Sequence, residues 1–540
     1  MKKIDVARAL AAARGAPKSA ASRRAASSER TGADGVAQEP MPDLTPLTRI
    51  GGLGPRKAEL LFRELGVRSP ADLAVALAAG KVRGLKGFGA SAEERLRAAV
   101  AQATGGERRF SLADAEQQAV PIVEFLRDAP GAERVEVAGG WRRRCDTVAE
   151  VDVLVVSARP APILRHFAAW PGARDVDASE LARASLVLES GLRVNVRVVP
   201  RRCYGAALHY LTGSAAHTGA VRQLGLDAGV RISEYGVFRL DQGRAGARRI
   251  GGQQEEDVFS AVGLDWVPPE LRECRGEIEA ALRHDLPRLI TTRDIRGDLR
   301  LRTTWSNGTA GIEEMVHACQ AVGYDYCAVA DPAGGSTGAR AMSTDEIRGQ
   351  AAEVDRLRSR LHGFHLLRGM TVGVRQDGTL DVDDADLAGL DLLIIAVHSH
   401  TRLSRTRMTD RIIRAMEHPA ADILAHPTGR LLGRRDPLDL DLDAVMCAAA
   451  ALGVAVEANA QPDRLDLNDI HIRRARDLGA RIVINSDAGS GDDLAGIRYG
   501  IDQARRGWIE PDTVVNSLPA AQLLAWLRRR APGRGGEPAA

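Results

Sequence analysis

Cysteine and lysine are the scarce residues of this 540-residue chain. The cysteines, at 145, 203, 274, 319, 327 and 447, are scattered without a CxxC pair, so neither a disulfide framework nor a zinc site is indicated. Lysine occurs only at 2, 3, 18, 57, 81 and 86, and every other cation is arginine. No apolar run approaches the roughly 20 residues of a membrane span. The N-terminus has Lys2 and Lys3 but no apolar stretch of signal-peptide character. A reducing cytoplasm without a membrane partner fits these absences. The net charge of +3 is too small to establish nucleic-acid binding. Arginine is the better phosphate fork, but a uniform arginine and alanine excess reads first as genome composition. What is present, 44% hydrophobic and 27% charged residues, is globular composition. The length exceeds one ordinary core, so two or more domains are expected.

Residues 1–43 are rich in Ala, Ser, Arg and Gly without apolar periodicity. They read as a disordered basic tail, either adding non-specific phosphate contacts or inert. Residues 44–105 change character. Ile50-Gly51-Gly52-Leu53-Gly54-Pro55-Arg56-Lys57 leads into an apolar helix pattern, and Leu85-Lys86-Gly87-Phe88-Gly89 repeats the theme about 35 residues later. Each unit has the form of a helix-hairpin-helix: glycines permit a tight turn, and backbone N–H groups at the next helix start can face a phosphate. Gly52, Gly54, Arg56, Lys57, Lys86, Gly87 and Gly89 are therefore the candidate DNA-contacting positions.

Strand patterns follow at 135–138, 151–156 and 192–199 within 106–200. The stretch 201–270 carries Tyr210-Leu211-Thr212-Gly213-Ser214 and Glu234-Tyr235-Gly236-Val237-Phe238, and 271–292 reads as a linker. From 293 to 540, buried-strand runs alternate with helices and end in polar residues, as at Asp391–Val397, Asp422–His426, Val454–Asn459 and Ile482–Asp487. Polar groups at strand C-termini are where an α/β barrel collects its active site.

The order of these motifs resembles the bacterial family-X DNA polymerases, whose polymerase core is fused to a C-terminal PHP metal-hydrolase domain. The resemblance covers nearly everything from 44 to 530. It implies a multidomain α/β protein: a helix-hairpin-helix region at 44–105, a nucleotidyltransferase palm at 106–200, a thumb-like region at 201–270 and a distorted PHP-type α/β barrel at 293–540. It also places the family's metal-binding polymerase carboxylates at Glu150, Asp152 and Asn195. Only Asp152 is unchanged. Glu150 is longer by one methylene, roughly 1.5 Å against metal-site tolerances of about 0.2 Å. Asn195 has no negative charge and cannot accept the 3′-hydroxyl proton. The triphosphate cradle falls on Gly139, Gly140, Arg143 and Arg222, with a glycine where the family has serine; Arg142 also resembles a family arginine.

In the PHP region the resemblance places the metal ligands at Arg300, Arg302, Asn307, Asp331-Pro332, Thr371, His398, His426 and Asp487-Ala488-Gly489. His398, His426 and Asp487 remain as vestigial ligands. Arginine has no lone pair for a metal and stays protonated. Arg300 and Arg302 are expected to neutralise Asp487, Asp331 and Glu457; the alternative is fixed positive charge for an anion.

The function implied is that of a DNA-binding, family-X-polymerase-like protein of DNA repair or end handling, with lost or very weak catalysis. Two alternatives stay open: a residual DNA-directed polymerase filling short gaps with divalent metal, and a protein-interaction scaffold without DNA binding. The expected partners are DNA, a deoxynucleoside triphosphate and repair proteins, with a cytoplasmic, nucleoid-associated location. Weak Mg²⁺ or Mn²⁺ binding is expected in the palm through Glu150 and Asp152, and no metal in the PHP domain.

Overall fold

The computed structural model describes residues 53–65 and 108–530, apart from 179–180, 241–246 and 336–339, with single positions between 47 and 96. The tail at 1–43 and the candidates Gly52, Lys86, Gly87 and Gly89 lie outside the described residues. The described residues fall into two compact units. The smaller runs up to Phe110 and includes Glu189–Leu192, and the larger comprises Ser111–Leu188 and everything from Arg193.

The smaller unit carries an internal repeat that is visible in its hydrogen bonds. Ile50 N donates to Leu47 O at 3.1 Å and Leu53 N to Ile50 O at 3.0 Å, while Leu85 N donates to Val82 O at 3.1 Å and Phe88 N to Leu85 O at 3.0 Å. The same double turn thus recurs 35 residues on, and Leu47, Ile50, Leu53, Val82 and Phe88 all enter one core with Ala58, Leu61 and Leu77. Helix α1 (Pro55–Leu65) starts on the first turn. Pro55 suits that position because a helix's first N–H has no intrahelical acceptor. Gly54 O accepts from Lys57 N at 3.0 Å and Ala58 N at 3.1 Å.

The larger unit begins with helix α2 (Leu112–Arg127), capped by Ser111 and burying Leu112, Ala115, Ala119, Ile122 and Leu126. It covers a mixed five-stranded sheet of β1 (Arg134–Val137), β2 (Glu150–Val156), β3 (Ala173–Asp177), β4 (Arg183–Leu188) and β5 (Arg193–Val199), in the spatial order β1-β2-β5-β4-β3. The short helix α3 (Gly139–Arg142) crosses between the first two strands. Only β2 and β5 pair in parallel; their register sets Glu150 opposite Arg193 and Asp152 opposite Asn195.

Helices α4 (Tyr204–Thr212) and α5 (Ala215–Asp227) then pack with a small antiparallel sheet, β6 (Val230–Ser233), β7 (Gly236–Leu240) and β8 (Ala247–Gly251). The segment expected as a linker, 271–292, contains helix α6 (Glu277–Arg283), and its Leu271, Ile278, Ala281 and Leu289 join the core of Val221, Leu224, Val237 and Phe259. Glu277 accepts from the buried His217 Nδ1 at 2.7 Å.

The rest is a parallel barrel-like sheet: β9 (Gly297–Leu301), β10 (Tyr326–Val329), β11 (Pro332–Ala333), β12 (His365–Gly373), β13 (Leu392–Ala396), β14 (Ile423–Leu424), β15 (Ala455–Asn459) and β16 (Ile482–Asn485). Apart from β11, which pairs β12 at its end, each strand lies beside the next along the chain. Parallel neighbours require crossovers, such as helix α7 (Arg405–Met416) between β13 and β14, while α8 (Ile497–Arg506) follows the last strand. Asn516 bridges the first and last strands. Its Nδ2 donates to Gly297 O at 2.8 Å and Ile484 O at 2.6 Å, and its Oδ1 accepts from Ile484 N at 3.0 Å. One side chain thus satisfies three backbone groups that a continuous ladder would have paired.

The barrel docks on the five-stranded domain through charged residues. Arg498 Nη2 and Tyr499 Oη donate to Glu116 Oε2 at 2.6 and 2.9 Å, and Arg430 Nη1 donates to Asp146 Oδ2 at 3.0 Å. Among the described residues no helix is long and apolar enough to cross a membrane.

Candidate functional site

Strand alternation puts Glu150 and Asp152 on one face of β2, while Val151 and Val153 are buried on the other. The parallel register brings Asn195 to the same face. Its Nδ2 donates to Glu150 Oε2 at 2.9 Å and to Asp152 Oδ1 at 3.1 Å. Burial and the neighbouring Glu150 charge push the Asp152 carboxyl up to about 6, against the pull of the Asn195 amide and of Arg143. Gly139 turns over this pair with φ +59°. A Cβ on it would stand 2.4 Å from Asp152 Oδ2, so only glycine fits without a shift.

The arginines following the glycines are engaged. Arg142, read from the sequence as a DNA or nucleotide contact, instead holds Glu255 with two bonds of 2.6 and 2.8 Å and Thr212 Oγ1 at 2.7 Å. The fully buried Arg272 donates to the same Glu255 at 2.6 Å. Burial opposes ionisation of that carboxyl, but the two guanidiniums hold it well below the usual carboxylate range. Arg143 Nε donates to Glu273 Oε1 at 3.0 Å, and its Nη1 to Thr212 O. Arg222 is exposed on α5 and does not line the cavity beside Asp152.

That cavity holds about 350 Å³, and its walls include Asp152, Arg183, Ser185, Asn195, Arg197 and Tyr210. Sequence reasoning missed Arg183 and Arg197. The signal for Arg197 was its position two residues beyond Asn195, hence on the same face of β5. It donates to Glu234 Oε1 at 2.6 Å. For the smaller unit, Gly54, Arg56 and Lys57 fall at the start of α1, with Lys57 Nζ 5.4 Å from the centre of the Phe88 ring.

At the C-terminal ends of the barrel strands a second cavity, about 330 Å³, is lined by Arg300, Arg302, Asn307, Pro332, Thr371, His398, His426 and Asp487, joined by Arg435 and Arg464. The first eight are positions singled out from the sequence; the two further arginines were not assigned to a site. Arg300 Nη1 donates to Glu457 Oε2 at 2.7 Å, and its Nε lies 3.7 Å from Asp487 Oδ1. Arg302 pairs with Asp487 Oδ1 at 3.0 Å. Asp331 is held by neutral donors rather than by an arginine: Thr303 N, Thr303 Oγ1 and Gln350 Nε2 at 2.7 Å each, and Ser306 Oγ. Burial, reinforced by the charges of Arg300 and Arg464, lowers His398 to about 4 and His426 well below its ordinary range. Gly489 stands apart from the cavity lining, with a Cβ there only 3.2 Å from Gly308 Cα.

The two donor sets differ in their fit to a metal. Glu150 and Asp152 offer adjacent carboxylates that share only a neutral amide. In the barrel, the Asp487 carboxylate is already paired with two guanidiniums, those of Arg300 and Arg302, which stand where the sequence resemblance led us to expect metal ligands. That set does not fit a divalent cation.

Residues 207–273 match the DNA polymerase beta thumb family. The chain is 34% identical over 495 residues, 91% of its length and 86% of the relative, to the DNA polymerase/3′-5′ exonuclease PolX of Bacillus subtilis (strain 168). It is 24% identical over 191 residues, 34% of its length and 75% of the relative, to a probable phosphatase of Thermoanaerobacter sp. (strain X514). The solved ternary complex of Leishmania infantum polymerase beta aligns with 43% of this chain and 97% of its own, at 19% identity and a TM-score of 0.32, too loosely to assign any residue.

Proposed function

The chain belongs to the bacterial PolX family, family-X DNA polymerases that carry a PHP domain, and from that premise we propose that it is a DNA-binding member of DNA repair or end handling with lost or very weak polymerase catalysis. The observation that carries the reading is the Asn195 amide bridging Glu150 and Asp152 at 2.9 and 3.1 Å. An amide cannot take a proton from an attacking hydroxyl, and loss of general-base help costs about 10²- to 10⁴-fold. It also leaves two carboxylates where charge for two cations would be needed.

Glu150 and Asp152 are the residues that would hold a single Mg²⁺ or Mn²⁺, which when bound supplies charge neutralisation for triphosphate oxygens. Arg143 and the Gly139-Gly140 turn lie beside that pair as the nucleotide-facing groups, and Arg222 is a further candidate contact. DNA binding is assigned to the hairpin region, with Gly54, Arg56 and Lys57 as candidate phosphate contacts, and a nucleoid-associated location belongs to the same reading. The barrel is proposed to be without metal and without phosphoesterase activity.

A residual polymerase is the second reading, favoured by the intact carboxylate pair and the adjoining cavity. Primer extension on gapped DNA, with Mg²⁺ or Mn²⁺ and an Asp152→Ala control, tests both. Little or no incorporation by the parent protein is expected. Robust Mg²⁺-dependent extension abolished by Asp152→Ala would establish an active polymerase instead. Absence of salt-dependent DNA binding would leave the protein as an interaction scaffold.

A further inference from the structure

We propose that the arginine-lined cavity of the barrel is a binding site for a phosphate-class oxyanion. Four guanidiniums line it, those of Arg300, Arg302, Arg435 and Arg464, against the single lining carboxylate of Asp487. Glu457 beneath the floor engages Arg300, and Asp487 engages Arg302 and Arg300. Those carboxylates account for two of the four positive charges. Among the described residues, Arg435 and Arg464 form no ion pair: Arg435 donates only to Gly429 O at 2.8 Å, and Arg464 Nη1 is buried without a protein partner. Neither guanidinium is therefore neutralised by a direct ion pair, although Arg464 also feels the carboxylates of Asp487, Asp463 and Asp466.

The neutral lining points the same way. His426 is 3% exposed, and both of its ring nitrogens are buried without a protein partner. Whichever tautomer it adopts, it has an N–H to offer. Burying a donor without an acceptor is unfavourable, and more so when the donor is charged. An anion that accepts from Arg464 and His426 relieves both costs, and the exposed Arg435 adds a further cation to the lining. The donors converge from separate barrel segments, which suits the several strong acceptor oxygens of a tetrahedral phosphate. A cavity of about 330 Å³ accepts a phosphate with a small organic group attached. The lining is therefore suited to an anion and not to a divalent cation.

Titration calorimetry on the full chain in chloride buffer tests this, with inorganic phosphate in one arm and thymidine 5′-monophosphate in the other. One saturable site of submillimolar affinity is expected. Affinity should fall about tenfold or more in Arg464→Gln and in Arg435→Gln, the loss of one charge-assisted bond. Arg434→Gln, on an exposed neighbour, should leave it unchanged. Tighter binding of the nucleotide assigns a phosphomonoester as the ligand, and equal affinity assigns the free anion. The proposal is overturned if neither ligand binds up to about 10 mM, far above the expected Kd, or if binding is equal in the parent and both arginine variants. Arg435 is exposed, so its variant keeps the test decisive even if Arg464→Gln fails to fold.

Discussion

Arg506 in the barrel and Arg143 beside the palm carboxylates share one acceptor. Arg506 Nη1 donates to Arg143 O at 2.7 Å and to Glu273 Oε1 at 3.0 Å, the oxygen that Arg143 Nε also binds at 3.0 Å. Arg506 Nη2 reaches Asp469 at 2.9 Å. The candidate phosphate arginine is therefore positioned in part by a buried side chain of the other domain.

Arg506→Ala should accordingly destabilise the palm–barrel junction. Breaking a buried ion pair by removing one partner costs about 3–5 kcal/mol. Because Arg506 and Glu273 act in one network, the double variant with Glu273→Ala should lose less than the two single losses added. Additive losses in thermal unfolding would contradict the shared network.

Asn195→Asp puts a third carboxylate beside Glu150 and Asp152 and removes two hydrogen bonds to charged groups, each worth about 1.5–3 kcal/mol. In chelator its melting temperature should drop below that of the parent, and Mg²⁺ or Mn²⁺ should restore it. Combined with Glu150→Asp, it should also increase any primer extension. A melting temperature insensitive to both substitution and ion would show that the amide bridge contributes nothing.

Glu255 sets a pH dependence. Its folded-state affinity for protons is depressed below the ordinary 4.5 by Arg142 and Arg272, against the opposing effect of burial. A depressed carboxylate contributes stability that is complete above its unfolded pKa and lost as pH falls toward its folded value. Glu255→Gln should therefore cost about 3–5 kcal/mol at pH 7, with the gap to the parent narrowing as pH drops below 4.5. A gap that is constant with pH in denaturant titrations would rule out the ionic account.

The hairpin unit should bind duplex DNA without sequence preference. Removing one cation from a DNA phosphate should flatten the logarithmic salt dependence by about 0.9. Lys57→Glu with Lys86→Glu is the variant to compare, by fluorescence anisotropy across a salt series. Unchanged affinity at every salt concentration would make the hairpins purely structural.

Elemental analysis of the purified protein should find no stoichiometric transition metal in the barrel. Two or more metal ions per chain would show that the arginines move aside for them.

The residues alone were enough to read strand alternation, and with it the shared face of Glu150 and Asp152, because period-two geometry is a local property of the backbone. The repeated turn of the smaller unit was legible too, because its glycines and apolar residues recur 35 positions apart in the sequence. What they could not reveal is which distant groups meet. Asn195 was grouped with the carboxylates only by family resemblance, and its bridge over them depends on the parallel register of β2 and β5, which a crossover connection leaves unspecified in sequence. Arg435 carried no signal in the sequence, and the barrel brings it to one cavity with Arg464. Arg142 and Arg143 carried a charge with no visible partner, and folding supplied Glu255 and Glu273 more than a hundred residues away. The segment 271–292 lacks a long apolar period, yet it completes a core whose other walls come from 206–267 and Trp508. Local periodicity is written in neighbouring residues, whereas partner choice among charged side chains is decided by burial and distance, which exist only once the chain has closed on itself.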